Sequence, residues 1–148
     1  MIKKVVLTNK STTLQTTKNI TLSIQFNLGG FSFCVSNADS NKKLLFKKYA
    51  FKGNSNSPQE LLDNIKQIFN EEEYLQLEFI KVNVIHQNNL FTIVPNAYFD
   101  ENSLSAYLNY TIKTLRTDFI TFDDVPKIAA KNVYIPYVNI NNFLFQNF

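Results

Sequence analysis

The side chains that could do chemistry are few and lie far apart in the sequence. His86 is the only histidine and Cys34 the only cysteine, so the chain lacks the set of His and Cys ligands that holds zinc. A nucleophilic Cys34 would need His86 as its base, and the sequence leaves open whether the sheet pairs them. His86 ends an alternating strand and Cys34 lies in a row of small side chains, so we interpret both as structural.

The acidic residues do not converge either. Asp123 and Asp124 would point to opposite faces of a strand, and we interpret Asp124, just before Val125-Pro126, as a turn residue. Asp100-Glu101 begins a predicted helix, where Asp100 suits the cap position. We therefore expect no catalytic residue, no metal ligand and no cofactor, and we favour a non-enzyme while the question of an activity stays open.

One basic segment could contact a polyanion. Its lysines are interleaved with aromatic residues on a predicted hairpin: Lys42, Lys43, Lys47, Lys48 and Lys52, with Phe46, Tyr49 and Phe51. This pattern is typical of single-strand nucleic-acid surfaces and also of sheet edges protected from aggregation. Because the net charge is only +3, we favour the solvated edge, and we rank nucleic acid below a protein as the partner.

Alternating apolar and polar residues predict a strand meander in the first half of the chain. The predicted strands cover 20–28, 31–36 and 44–51. Gly29-Gly30 forms the first turn, with residues that tolerate positive φ. Ser57, Pro58 and Glu60 mark the start of a helix that reaches about Glu73. The alternation in 80–86 then predicts a fourth strand.

The second half is predicted to mix shorter elements. A strand over 90–94 is followed by a helix from Asp100 or Asn102 to about Leu115, strands at 119–122 and 133–138, and a helix from Asn139 to Phe148. We assign residues 1–148 to one domain, with 1–19 as a basic, loosely ordered lead-in. No apolar run is long enough for a membrane span, and we expect a cytoplasmic protein.

The order strand, strand, strand, helix, strand is that of a ribonuclease-H-like domain. The segments LSIQFNLGGFSFCV, VIHQNNLFTIVP, NAYFDENSLSAYL and VYIPYVNINNFLF resemble a Bacteroidetes family of unknown function that is similar in fold to the actin-like ATPases. The resemblance implies an α/β (α+β) ribonuclease-H-like half of an actin-like fold, with a three-strand antiparallel meander in a mixed sheet and two to three helices. It also implies that the chain is the N-terminal half of a longer protein.

The turn departs from the actin-like pattern. An active ATPase of that class places an Asp at the end of the first strand, then a Gly and a small hydroxyl residue. Here Asn27 lacks the charge that helps to organise magnesium, and Phe31 lacks the hydroxyl. A ribonuclease-H-type nuclease would place a metal-binding Asp on the same strand, where only Gln25 and Asn27 are polar candidates.

These departures favour a non-catalytic binding or scaffold module with a degenerate phosphate turn. Two alternatives stay open: a nucleotide-binding sensor or ATPase that holds phosphate through the Gly29-Gly30 amides, and a nucleic-acid-binding module that uses the lysine hairpin. The aromatic C-terminal part, which includes Phe143, Phe145 and Phe148, further suggests a homodimer.

Overall fold

The computed structural model describes residues 2–5, 18–53 and 57–148. They form two compact units, Met1–Gln87 with Leu144–Phe148, and Asn88–Phe143. The strands are β1 (Ile2–Val5), β2 (Ile20–Asn27), β3 (Gly30–Asn37), β4 (Lys43–Phe51), β5 (Lys81–His86), β6 (Phe91–Pro95), β7 (Thr121–Val125) and β8 (Ala130–Tyr134), and the α-helices are α1 (Pro58–Glu71), α2 (Leu104–Asn109) and α3 (Val138–Asn147). Most of the predicted lead-in, residues 1–19, lies outside the described residues, and the assignment of one domain to 1–148 stays a prediction.

The sheet of the first unit confirms the predicted meander. Its strands lie in the order β1-β4-β3-β2-β5. The first four pair antiparallel in turn, whereas β5 runs parallel to β2. Two parallel strands need a long connection, and here α1 lies between β4 and β5 in the chain. The result is the mixed α/β architecture that was expected.

The turn between β2 and β3 is built differently from the prediction. Asn27 pairs with Gly30, so Leu28 and Gly29 form the turn. Neither glycine has a positive φ, and among the chain's glycines only Gly53 does, at 75°. Gly30 is needed for space instead, because a Cβ there would lie 2.5 Å from the carbonyl oxygen of Tyr49.

One face of this sheet carries the core of the first unit. Alternate residues of β2 and β3 are buried there, as predicted: Ile20, Leu22, Ile24, Phe26, Phe31, Phe33 and Val35. β4 adds Leu45, Tyr49 and Phe51 to the same core, and the sequence did not predict which face of β4 is buried. α1 covers this face with a buried stripe that includes Phe69, whose ring packs edge-on against Phe31. The predicted helix start is confirmed, since Ser57 Oγ accepts a hydrogen bond from the Glu60 amide at 3.2 Å.

β5 is less buried than its alternation predicts. Val84 in the strand is 43% exposed, and Ile80, the residue before the strand, is 63% exposed. Within the described sheet β5 is the outermost strand and pairs only with β2, so one side of β5 has no neighbouring strand to cover it. The alternation identified the strand correctly but not its place at the edge.

The second unit is a three-stranded antiparallel sheet in the order β6-β8-β7. Its buried core consists of Val94, Leu108, Val133 and Ile135. Phe99 and Phe122 pack against this core and against each other, with ring centroids 4.7 Å apart. α2 supplies Leu108, so a short helix is enough to close one side of the small sheet.

The second helix is shorter than predicted. α2 ends at Asn109 instead of Leu115, because side chains provide competing hydrogen bonds beyond it. Thr114 Oγ1 donates to Asn109 Oδ1, and the Leu115 amide donates to the Asp118 carboxylate at 2.7 Å. The turn before α2 is capped by Asp100, as expected.

Three further bounds differ from the predictions. β7 begins at Thr121 and continues to Val125, and β8 ends at Tyr134, before Pro136, since proline cannot donate a backbone hydrogen bond. The predicted final helix is present and begins one residue early, at Val138. Within the described residues no helix is both long and apolar enough to span a membrane.

Candidate functional site

A cleft of about 510 Å³ opens at the turn between β2 and β3. We call it the turn cleft. Its polar side chains are Gln25, Asn27, Ser32, Lys48 and Gln87, and the Gly29 and Gly30 backbones form part of its wall. The volume lies within the range of small-molecule sites. The register explains the grouping, because Gln25, Ser32 and Lys48 are directly opposed on adjacent strands.

Asn27 holds the turn itself. Its Oδ1 accepts a hydrogen bond from the Gly29 amide at 2.8 Å, an arrangement typical of Asx turns. Its Nδ2 donates to Gln87 Oε1 at 3.2 Å, and Gln25 Nε2 donates to the same oxygen at 3.4 Å. Three carboxamides therefore form one cluster at the ends of β2 and β5.

The electrostatics of the turn cleft are those of a neutral site with one cation. The side chains that line it include no Asp or Glu, and Lys48 supplies the charge. Magnesium prefers carboxylates and phosphates to neutral carboxamides. In the described part of the chain, no group of three or more His, Cys, Asp or Glu side chains could hold a metal ion.

Gln87 was missed as a site residue. The sequence placed it in a turn after β5, next to Asn88-Asn89. Its amide donates to the Phe26 carbonyl at 3.0 Å, which brings its side chain beside Asn27. Sequence reasoning could have found Gln87 only by predicting that β5 pairs parallel to β2. That pairing could be suggested only by analogy with the ribonuclease-H-like fold.

The structure does not bring Cys34 and His86 together. Cys34 pairs with Ser23, and His86 pairs with Phe26, so the two side chains point to opposite faces of the sheet. His86 stacks on Phe26 with ring centroids 4.6 Å apart, and burial lowers its pKa to about 4. The geometry therefore contradicts the Cys-His pair that the sequence left open.

The acidic residues occupy structural positions. The interpretation of Asp124 as a turn residue is wrong: Asp123 and Asp124 lie in β7, and Asp124 makes an ion pair with Lys131. Asp123 accepts a hydrogen bond from Tyr134, and burial together with this contact raises the pKa of Tyr134 to about 12. Hydrogen bonds from the Asn102 amide and the Ser103 hydroxyl lower the pKa of Asp100.

The lysine hairpin does not form one surface. Lys47 points to the core face and is buried, with its Nζ 2.7 Å from Glu72 Oε1. Tyr49 and Phe51 are also buried in that core. Lys43 and Lys48 face the other side of the sheet, opposite Ser36 and Ser32. The interleaved aromatic pattern is thus mainly core, and only part of the predicted basic surface exists.

Comparisons with known proteins show the fold. Residues 9–148 match the model of a family described as a protein of unknown function, DUF3822. A solved protein from Bacteroides thetaiotaomicron VPI-5482, with an actin-like ATPase fold and unknown function, is similar at a TM-score of 0.75 and 21% identity. The match covers 90% of this chain and 51% of that one, so the chain spans about half the length of that protein. No curated protein matches the chain.

Proposed function

The chain belongs to the DUF3822 family of proteins of unknown function, and we propose that it is a non-catalytic binding module built on an actin-like fold. The observation that carries the proposal is the hydrogen bond from the Gly29 amide to Asn27 Oδ1. A phosphate-binding turn needs free backbone N–H groups that point at the ligand. Asn27 occupies one of them with an oxygen of its own side chain.

The carboxamide cluster supports the same proposal. Phosphoryl transfer and two-metal hydrolysis both depend on carboxylates that hold magnesium close to the reacting phosphate. Gln25, Asn27 and Gln87 offer paired donors and acceptors without a negative charge. Such groups suit recognition of a neutral polar ligand or an anion, with Lys48 at the rim.

The nucleotide-sensor alternative receives less support from this geometry. It requires the Gly29 and Gly30 amides to hold phosphate, and the Gly29 amide already has a partner. A protein partner and a homodimer through the aromatic C-terminal part remain proposals. A cytoplasmic location is also part of the proposal, and it agrees with the free thiol of Cys34.

Phosphate release from magnesium ATP tests the proposal. We expect the wild-type protein and the Asn27→Ala variant to give the same rate as buffer alone. A matched nuclease assay on single and double strands, with magnesium or manganese, should also show no cleavage. Turnover by the wild-type protein that Asn27→Ala abolishes would show that the turn cleft is catalytic, and the proposal would fail.

A further inference from the structure

The side of the first unit's sheet opposite to α1 presents a mainly polar surface, on which Ile85 is an exposed apolar residue. We define the open face by the residues of β2 to β5 that alternate with the buried ones. In β4, β3, β2 and β5 respectively, one cross-strand row reads Lys43, Ser36, Thr21 and Lys81. These residues are exposed or half-buried, in contrast to the apolar face under α1.

The open face is basic and has no acidic residue to balance its charge. Lys43, Lys48 and Lys81 are exposed on it, and none of β2, β3, β4 and β5 contains an Asp or Glu. Lys47 and Lys131 form ion pairs with Glu72 and Asp124, and neither pair includes one of these three lysines. Fixed positive charge without a local carboxylate is the electrostatic pattern that attracts polyanions.

The three lysines frame a small platform. Lys43 and Lys81 lie three strand spacings apart in one row, which is about 14 Å at the usual strand separation. Lys48 lies five residues along β4 from Lys43, a spacing that puts two residues on opposite faces of a regular strand. The register shift at Val35 and Ser36 keeps both lysines on the open face, roughly 15 Å apart along the strand. Between them lie four short side chains, Ser23, Ser32, Cys34 and Ser36, together with the longer Phe46 and Gln25. A flexible chain could therefore approach the sheet closely while its charges meet the lysines.

The groups between the lysines suit nucleotides. Hydroxyl and carboxamide side chains donate to phosphates and accept from base edges, and Gln25 and Asn83 add such groups on β2 and β5. Phe46, half-buried in the row of Cys34, offers the aromatic ring on which a base can stack. From this arrangement we infer that the open face binds single-stranded nucleic acid. The inference rests on the proposed non-catalytic role and names its partner class.

A single strand fits this face better than the other polyanions do. A duplex hides its bases inside the stack, so the Phe46 ring and the central carboxamides would have no partners. An acidic protein would use the lysines but would not need an aromatic platform with short side chains around it. A duplex and an acidic polypeptide should therefore compete poorly with a single strand for the open face.

Fluorescence anisotropy with a labelled twelve-nucleotide oligothymidine tests the inference. We expect saturable binding that weakens as salt rises. Three phosphate contacts predict a slope of about −2 in log K against log salt, or a loss of roughly 15-fold between 50 and 200 mM salt. An unlabelled duplex and a polyglutamate peptide should compete at least tenfold less well than unlabelled oligothymidine.

Charge-matched variants locate the site. The triple variant Lys43→Gln, Lys48→Gln, Lys81→Gln should lose at least tenfold in affinity. The control triple variant Lys66→Gln, Lys113→Gln, Lys127→Gln removes the same net charge from exposed positions on α1 and in the second unit, and should lose less than threefold. Phe46→Leu keeps apolar bulk but removes the ring, and should weaken binding about fivefold at constant salt slope.

Three results would overturn the inference: no binding by the wild-type protein, equal losses in the two triple variants, or equal competition by the duplex or polyglutamate. None of them depends on the turnover assay. Absence of nucleic-acid binding together with absence of turnover would remove the partner class and leave the non-catalytic role standing.

Discussion

At the scale of single residues, the side-chain amide of Asn27 carries the proposed non-catalytic role. A carboxylate at position 27 could hold magnesium, whereas the carboxamide of Asn27 gives its oxygen to the Gly29 amide and its nitrogen to Gln87. The resemblance to the actin-like ATPases identified Asn27 as a departure from the pattern of that class. It could not show that the side chain turns back onto its own turn, because that depends on the dihedral angles of Leu28 and Gly29.

Gly30 and Gly53 are glycines for two different reasons, lack of space for a Cβ at Gly30 and a positive φ at Gly53, and their alanine variants compare the two costs. Gly30→Ala should destabilise the protein by about 2 kcal/mol, since its Cβ would lie 2.5 Å from the Tyr49 carbonyl oxygen and β4 would have to shift. Gly53→Ala should cost about 1 kcal/mol, because the residue has open space but a φ of 75°. Urea unfolding of both variants measures the difference, and a larger loss for Gly53→Ala would contradict the structural reason.

His86 should make stability depend on pH. Burial lowers its folded-state pKa to about 4, below its ordinary value, so the unfolded chain binds a proton first as the pH falls. The contribution of neutral His86 to the free energy of unfolding is therefore complete above about pH 6.5 and is lost as the pH falls from 6.5 to 4. The loss is on the order of 2 kcal/mol for a partly solvated ring.

Urea unfolding from pH 7 to pH 5 measures this loss while most carboxylates stay ionised. His86→Phe keeps the stacking on Phe26 and removes the titration, so its stability should change less over that range. Parallel pH profiles for the wild type and His86→Phe would show that His86 is not responsible.

At the scale of elements, a buried ion pair connects α1 to β4. Lys47 is 8% exposed and Glu72 is 5% exposed, and the Lys47 ammonium also lies 4.7 Å from the centre of the Tyr74 ring. Glu72 is the C-cap of α1, so the helix ends where its carboxylate meets the sheet. Burial and the neighbouring Glu72 carboxylate raise the pKa of Tyr49, which stays protonated at all ordinary pH values.

Removing either Lys47 or Glu72 alone should lower the free energy of unfolding. Glu72→Gln leaves a buried ammonium without its counter-charge, and we expect a loss of about 3 kcal/mol. The double variant Lys47→Met, Glu72→Leu should lose less than the single variant, because no buried charge remains. Asp124→Asn breaks the more exposed pair with Lys131 and should cost at most about 1 kcal/mol. Thermal or urea unfolding ranks the three, and equal losses would contradict this account.

The elements also show what sequence patterns can predict. Alternation identified β2 and β3 and the face that each one buries, because one face of their sheet packs on a helix. For β4 the sequence predicted the strand but not its buried face, since Lys47 on that face is unexpected until the fold places Glu72 beside it. α2 was predicted too long, since helical periodicity does not include the competing side-chain hydrogen bonds after Asn109.

At the scale of the whole molecule, the predicted architecture is confirmed. The likeness to an actin-like fold over 90% of the chain agrees with the strand and helix order read from the sequence. The edge position of β5 was not predictable from its own residues, because it depends on how the other strands are ordered in the sheet. The residues of the turn cleft come from three separate segments, so only the fold could assemble them.

Two C-terminal phenylalanines, Phe145 and Phe148, test whether aromatic contacts at this end of the chain stabilise the first unit. The Phe148 ring packs edge-on against Phe69 and Phe79, at 5.7 and 6.1 Å between centroids, and is 44% exposed, whereas Phe145 is 86% exposed. Phe148→Ala should lower the free energy of unfolding by about 1 kcal/mol, because its ring is only partly buried, and Phe145→Ala should have almost no effect. Equal effects in thermal unfolding would show that the contacts of Phe148 do not stabilise the first unit.

The proposed role depends most on Asn27, whose Oδ1 accepts the hydrogen bond of the Gly29 amide and so keeps that amide from binding phosphate. An amide-resolved NMR titration of the labelled protein with magnesium ATP tests it most directly, with the Gly29 signal as the readout. We expect the Gly29 signal to stay unchanged at millimolar nucleotide, because its amide already donates to Asn27 Oδ1. A saturable shift of the Gly29 signal in the wild-type protein would show that the amide binds phosphate despite Asn27, and would contradict the claim.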